Sequence, residues 1–358
     1  MKIIKQSEIK KSNIILFLCA IGLFILSDGI KLYTQTSGGG YSSSYLLREV
    51  GARPIALGGA YTAVSNDPYA IFYNPAGLGF FPDRPQVNTS VSSIGLDRYH
   101  SSLAWAQQVI DNIGLGFGIN SMNSPSFKAR DITGAPIKDI SNHEYAITAT
   151  GSYKIESASI GVSLKYLNSS LIGTDTYANG FAVDIGTKFN IMDLFSFGLA
   201  ARNIGGRLMW NNLNEDSEVI PFTIRSGIAM EYGFNDKTYE TRSTVTGELE
   251  TVYVPATRYI LLSFDAVFDQ YRTSPDMILG VEAAVHEMLA FRGGINIYGE
   301  DEGKPSLLPM SNWGAGVSVR PFDDNEQIPF DAHFDYTISR EYISGNKISH
   351  NISILFLF

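Results

Sequence analysis

Residues 346–358 read NKISHNISILFLF and residues 330–338 read FDAHFDYTI. In the first, Ile348, His350, Ile352, Ile354, Phe356 and Phe358 occupy every second position; in the second, Phe330, Ala332, Phe334, Tyr336 and Ile338 alternate with Asp331, His333, Asp335 and Thr337. A period of two puts successive side chains on opposite faces of a β-strand. The same rhythm recurs upstream. Phe181, Val183, Ile185, Thr187 and Phe189 alternate with Ala182, Asp184, Gly186 and Lys188. Ile160, Val162, Leu164 and Tyr166 alternate with Gly161, Ser163 and Lys165, and Trp313, Ala315, Val317 and Val319 with Gly314, Gly316, Ser318 and Arg320.

A soluble β-sandwich also alternates, with its apolar face inward. Here the strands run about 9–12 residues, the length a tilted membrane strand needs, whereas soluble strands average five or six. The second face mixes Gly, Ala and Ser with ionised groups, as a crowded polar lumen would. The spacing predicts strands over 86–95, 99–108, 112–122, 143–154, 157–169, 178–190, 193–203, 221–232, 258–268, 275–285, 288–298, 311–319, 329–339 and 346–358. That count is even, as single-chain bacterial barrels require. Short links at Glu156, Ile191-Met192 and His286-Glu287 alternate with long ones at 123–142, 204–220 and 299–310; the long link 233–257 falls on the short side and reads either as a hairpin extension or as two further strands. The expected fold is an all-β membrane protein, a closed antiparallel barrel of about 14 strands, because in hydrocarbon only a closed sheet leaves no backbone group unpaired. A terminal aromatic closing an alternating strand resembles the last strand of bacterial outer-membrane barrels, which the barrel assembly machinery recognises. Phe356 and Phe358 are the expected assembly signal.

Composition agrees. Charged residues make up 18% of the 358, below the roughly 25% of soluble domains, and the 21 Phe and 19 Tyr suit aromatic girdles at two membrane interfaces. A net charge of −9 argues against nucleic acid as a partner. The single cysteine, Cys19, excludes a disulfide framework and a Cys-based zinc site. It follows Leu16-Phe17-Leu18, bulky where a lipid-attachment site needs small residues. Lys2, Lys5, Lys10 and Lys11 precede an apolar run from Ile14 to Leu26, then Ser27-Asp28-Gly29. Basic, apolar, small is the order of a secretory signal peptide, expected over 1–29 and cleaved on export. A short linker, 30–45, follows, and no later run is apolar enough for a transmembrane helix.

Residues 46–85 break the alternation. Ala56 to Val64 is small and apolar around Gly58-Gly59, Asp67-Pro68 ends it, and Tyr69, Phe72 and Tyr73 lead into the turn signal Asn74-Pro75-Ala76-Gly77-Leu78. A compact unit of this kind fits inside the lumen as a plug, leaving 86–358 for the barrel. Gly51-Ala52-Arg53, Leu57-Gly58-Gly59-Ala60, Thr62-Ala63-Val64, Asp67, Ala70 and Asn74 to Leu78 together resemble the N-terminal signature of the PorV/PorQ family, itself similar to the long-chain fatty-acid transporter (FadL-like) barrels. The close match covers roughly 35 residues. The resemblance implies a fourteen-stranded outer-membrane barrel with an N-terminal hatch, and one of two jobs. One branch passes hydrophobic small molecules; PorV serves type IX secretion, escorting cargo proteins.

Phe72, Tyr73, Asn74, Pro75, Leu78, Phe80 and Phe81 are candidates for an apolar pocket at the hatch, or simply pack the hatch against the wall; Asn74 is the choice for a gating turn. Leu208, Met209, Trp210 and Leu213, Leu307, Leu308 and Met310, with Phe127 and Ile132, are apolar residues expected in outer loops, where they suit contact with a greasy ligand, lipopolysaccharide or a protein. Inward charges are expected at Glu144, Lys165, Asp184, Lys188, Arg202, Arg225, Glu231, Asp265, Glu282, Arg292, Arg320, Asp331 and Asp335; their mixed signs favour paired networks holding the hatch over a selectivity ring. Asp331, His333 and Asp335 share a face, but no nucleophile or positioned water is marked beside them, so neither an enzyme nor a metal site is expected. Gly114, Gly116 and Gly118 lie on a strand with no helix following and are read as making room for the hatch, not as a phosphate loop. No cofactor is expected. The expected partners are outer-membrane lipid, the assembly machinery, and a hydrophobic small molecule or a secretion-system protein.

Overall fold

A computed structural model describes residues 42–358 apart from 192–193, 212–216, 236, 243–248, 255, 271–273, 300–310, 322–329 and 342–346, with the backbone alone for 237–242, 249–254 and 341. The expected signal peptide and most of the linker lie outside the described residues.

Fourteen strands form the barrel: β1 (Gln86–Ser93), β2 (Tyr99–Ile110), β3 (Ile113–Asn123), β4 (Pro136–Ile155), β5 (Ala158–Ile172), β6 (Thr176–Ile191), β7 (Phe195–Trp210), β8 (Thr223–Gly233), β9 (Tyr259–Asp269), β10 (Asp276–His286), β11 (Leu289–Ile297), β12 (Ser311–Val319), β13 (Asp331–Glu341) and β14 (Lys347–Leu357). Each pairs antiparallel with its neighbours in sequence. The sheet closes where β1 meets β14, from Gln86↔Leu357 to Ser93↔His350, so the ring itself has no open edge. Two short strands, Phe127–Arg130 and Ser217–Val219, prolong the sheet at one end without joining the ring.

The alternation has the polarity of a membrane barrel. Leu164 and Phe181 are 62% and 68% exposed on the outside, whereas the inward Lys165 and Asp184 are 3% and 1% exposed. A soluble sheet would bury the first pair and solvate the second. Tyr153, Phe195, Tyr232, Phe234 and Phe358 stand outward near the end with the tight turns, and Tyr99 and Tyr177 near the end with the longer loops, as the girdle reading expects. Phe358 sits at the seam. Its backbone N–H donates to Pro85, its carbonyl accepts from Arg84, and Phe330 packs its ring against Phe356 and Phe358.

Three stretches differ from the sequence expectation. The loop expected over 123–142 is largely strand: β4 starts at Pro136, and its first residues pair with Phe127–Arg130 in a protruding hairpin. The ambiguous 233–257 resolves as a separate two-stranded hairpin, Lys237–Arg242 with Leu249–Val254, outside the barrel. Strand β7 runs on to Trp210 instead of ending near 203. Its pairing with β6 slips between Phe181 and Val183 and again between Val183 and Ile185, so it carries two bulges, with Asn203 and Gly205 at positive φ. Asn203-Ile204-Gly205-Gly206 has the chemistry of a turn but serves as a bulge.

Inside lies the N-terminal segment, built from helical turns at Ser44–Leu47, Ala52–Ala56, Ala70–Tyr73 and Pro75–Phe80. Gly58 allows one of its reversals: φ is +68°, and a methyl group there would meet the backbone nitrogen of Ile295 at 2.8 Å. Leu57, Tyr61, Ile71, Phe72 and Leu78 form the main core with small wall residues such as Ala104, Ala106 and Ala229. A second cluster nearer the loop end joins Tyr45 and Leu46 to Leu167, Leu208 and Ile220.

Candidate functional site: the hatch and its wall

The hatch is too short and too rich in glycine and alanine to fold by its own burial; the wall supplies what it lacks. Its free peptide groups are met by strand side chains. Asp265 on β9 accepts from the backbone N–H of Tyr61 (3.1 Å) and Thr62 (3.0 Å) and from the Thr62 hydroxyl (2.6 Å). Arg225 on β8 donates to the Gly59 carbonyl (2.6 Å) and ion-pairs with Asp265 (3.2 Å). Lys188 on β6 donates to the carbonyls of Val64 (2.6 Å) and Ser65 (3.3 Å). Ser353 on β14 accepts from the Ala52 N–H and Thr337 on β13 donates to its carbonyl, both at 2.7 Å. Arg202 on β7 donates to the Leu46 carbonyl (3.0 Å).

One ionic cluster ties hatch to wall. Arg53 Nε donates to Glu282 Oε2 on β10 at 2.8 Å, and Arg292 Nε on β11 donates to the same oxygen at 2.9 Å. Arg292 reaches on to Asp335 at 2.6 Å, and Tyr259 donates to Glu282 Oε1. Within the hatch, Arg53 also donates to Asn66 and Tyr61, whose hydroxyl donates to Asp67 (2.6 Å). Burial pushes the Asp67 carboxyl above the usual range, against the pull of Arg53 and of the hydrogen bonds from Tyr61 and Tyr69.

The expected inward charges that lie on strands fall on the lumen side, and Arg320 follows the end of β12. Lys165 pairs with Asp184 at 2.6 Å, while Glu231 and Asp331 reach the exposed rim, where Asp331 meets Arg84 at 3.7 Å. Both signs interleave, so no single-sign ring forms. Among the described residues no group of His, Cys, Asp and Glu is arranged to hold a metal. Asp335 is engaged through one oxygen by Arg292 at 2.6 Å.

The glycine run is filled by the hatch. A methyl at Gly116 would lie 2.7 Å from Leu78 Cδ1 and 2.8 Å from Ile71 Cδ1; at Gly118 it would lie 2.8 Å from Phe72 Cζ. Phe72, Tyr73, Asn74, Pro75, Leu78 and Phe81 are all buried, and Phe80 is half-buried beneath the Lys154 and Lys188 ammonium groups. Asn74 is fully engaged. Its Nδ2 donates to the Thr62 carbonyl (2.9 Å) and to the wall at Thr187 (3.0 Å), and its Oδ1 accepts from Ala76 N–H (3.1 Å).

The outer-loop residues fare differently. Leu208 and Trp210 belong to β7, not to a loop. Leu208 points inward and is 1% exposed, so it is not available for an outside contact, and Trp210 is half-buried against the Tyr45–Leu46 cluster. Met209 faces outward on the same strand, and Phe127 and Ile132 are exposed on the protruding hairpin. Leu213, Leu307, Leu308 and Met310 lie outside the described residues. The residues that sequence reading passed over are Arg53, Tyr61 and Thr62: two polar groups and an arginine in an otherwise small, apolar plug were the available signal.

No model of a known protein family matches the sequence, and no curated protein matches it. Its fold is similar to that of the CymD monoaromatic hydrocarbon channel, with a TM-score of 0.55 at 14% identity over 89% of this chain and 99% of that one. It is also similar to that of the Pseudomonas putida toluene transporter TodX, with a TM-score of 0.53 at 14% identity over 87% and 98%. A Pseudomonas aeruginosa FadL homologue matches more loosely, with a TM-score of 0.49 at 10% identity over 86% and 97%. At these identities the first two likenesses are ones of fold alone.

Proposed function

We propose that the protein is an integral outer-membrane barrel, exported through a cleaved signal peptide, that conducts small hydrophobic molecules passively and without enzymatic chemistry. The observation that carries this reading is the combination of an apolar exterior with a lumen filled by the chain's own N-terminal segment, in a fold similar to that of a monoaromatic hydrocarbon channel. A solute taken up at the loop end meets the apolar cluster around Tyr45 and Leu46 first, and proceeds past Phe72 and Leu78 when that part of the hatch yields or through the wall beside it. Exposed apolar residues such as Phe127 and Ile132 suit the capture step. The test is uptake of a labelled monoaromatic hydrocarbon by cells that make the barrel, against cells that do not, with planar-bilayer recordings alongside. Faster uptake without large steady currents is expected. Equal uptake in both refutes the reading.

The alternative, a PorV-like component of type IX secretion, rests on the motif from Gly51 to Leu78. The structural likenesses add nothing to it. A barrel that leaves uptake unchanged but co-purifies with a secretion-system protein would favour it.

A further inference from the structure

Beneath the hatch, at the tight-turn end, a cavity of about 200 Å³ opens between Arg53, Asn66 and Asp67 and the wall residues Ser318, Arg320 and His333. Its carboxylates are engaged: Glu282 takes Arg53, Arg292 and Tyr259, Asp335 takes Arg292 through one oxygen, and both Asp67 oxygens accept from the hatch. Two donors on the wall are not. Arg320 reaches Tyr259 with one nitrogen at 3.1 Å and stands 3.6 Å from Glu282, and its Nε is buried with no partner. The Ser318 hydroxyl, on a residue 1% exposed and two positions along the same face, is also unpartnered. A buried donor without an acceptor is costly, and a guanidinium with free N–H groups is shaped to grip two oxygens at once. Leu355 and Leu357 supply an apolar flank.

We propose that this cavity binds a small oxyanion, a carboxylate or a phosphate, held by Arg320 and Ser318. The site lies on the side of the hatch away from the loop end and is independent of hydrocarbon passage, so either reading can fail without the other. The experiment is calorimetric titration of the full barrel in detergent with benzoate and, separately, with inorganic phosphate. Heat-modifiable mobility on gels checks that each variant is folded. Saturable binding of at least one is expected, weakened about tenfold or more by Arg320→Gln, which removes the charge-assisted bonds, and less by Ser318→Ala. Benzoate alone would assign an organic carboxylate resting on the leucine flank; phosphate alone would assign a tetrahedral oxyanion; both would assign a general oxyanion site. Should Arg320→Gln not fold, Ser318→Ala decides. No saturable heat with either probe, or affinities unchanged in the folded variants, overturns the proposal.

Discussion

Replacing Glu282 by Ala removes the carboxylate on which hatch and wall converge. Its side chain is wholly buried and accepts from Arg53 at 2.8 Å, Arg292 at 2.9 Å and Tyr259 at 2.5 Å. Hydrogen bonds to a charged group contribute about 1.5–3 kcal/mol each, giving a gross loss of about 4.5–9 kcal/mol. Asp335 still neutralises Arg292, and Asp67, 3.5 Å from Arg53, partly neutralises that guanidinium. The net cost should therefore fall to the roughly 3–5 kcal/mol seen when one member of a buried ion pair is deleted. Urea unfolding of the purified barrel in lipid vesicles, followed by tryptophan fluorescence, measures it. Glu282→Gln, which keeps the shape and loses the charge, should fall between Ala and wild type. The double variant Arg53→Met/Glu282→Leu should cost less than the sum of its single changes, because each single change strands a charge that the pair does not. A loss below about 1 kcal/mol for Glu282→Ala, within the range of ordinary substitutions, or strict additivity in the double variant, would refute the idea that this cluster holds the hatch.

Gly118→Val forces a branched side chain against Phe72 Cζ, 2.8 Å from where its Cβ must sit, and should destabilise by about 1–3 kcal/mol through overpacking; the urea midpoint measures it, and an unchanged midpoint would mean that the hatch does not fill this part of the lumen. At the tip of the protruding hairpin, hydrogen bonds from the Thr133 hydroxyl and from the Ala135 and Thr133 amides hold the Asp131 carboxyl below its usual range. An acid with a depressed folded pKa contributes stability above its unfolded value, lost as pH falls through the folded one. Amide exchange at Thr133 and Ala135 should therefore lose protection below about pH 4 relative to the intrinsic pH trend, near the carboxylate's ordinary pKa, and retention of full protection at pH 2 would contradict the turn.

Much of the barrel was legible because alternation is a local signal. Each strand writes its two faces into consecutive residues. The hatch was legible as an interruption, where small residues and Asn74-Pro75 break that rhythm. The ends of strands were harder. At Asn203 to Gly206 the same residues that end strands elsewhere introduce bulges, and the two added residues keep Leu208 facing the lumen. The sequence also shows that inward charges must pair, but not with what. Arg53 and Glu282 lie 229 residues apart, and only closure of the ring brings them together.

The hydrogen bonds that seat Ala52 come from Thr337 and Ser353, 285 and 301 residues further along the chain. The hatch precedes the barrel in the chain, yet part of its bed is supplied only by the last two strands, and these two bonds wait on their delivery. Contacts this distant in sequence make for slow maturation. The cylinder is sealed by the eight paired positions of β1 and β14, the strand that carries Ser353. Seating of the stopper and sealing of the cylinder thus draw on the same strand.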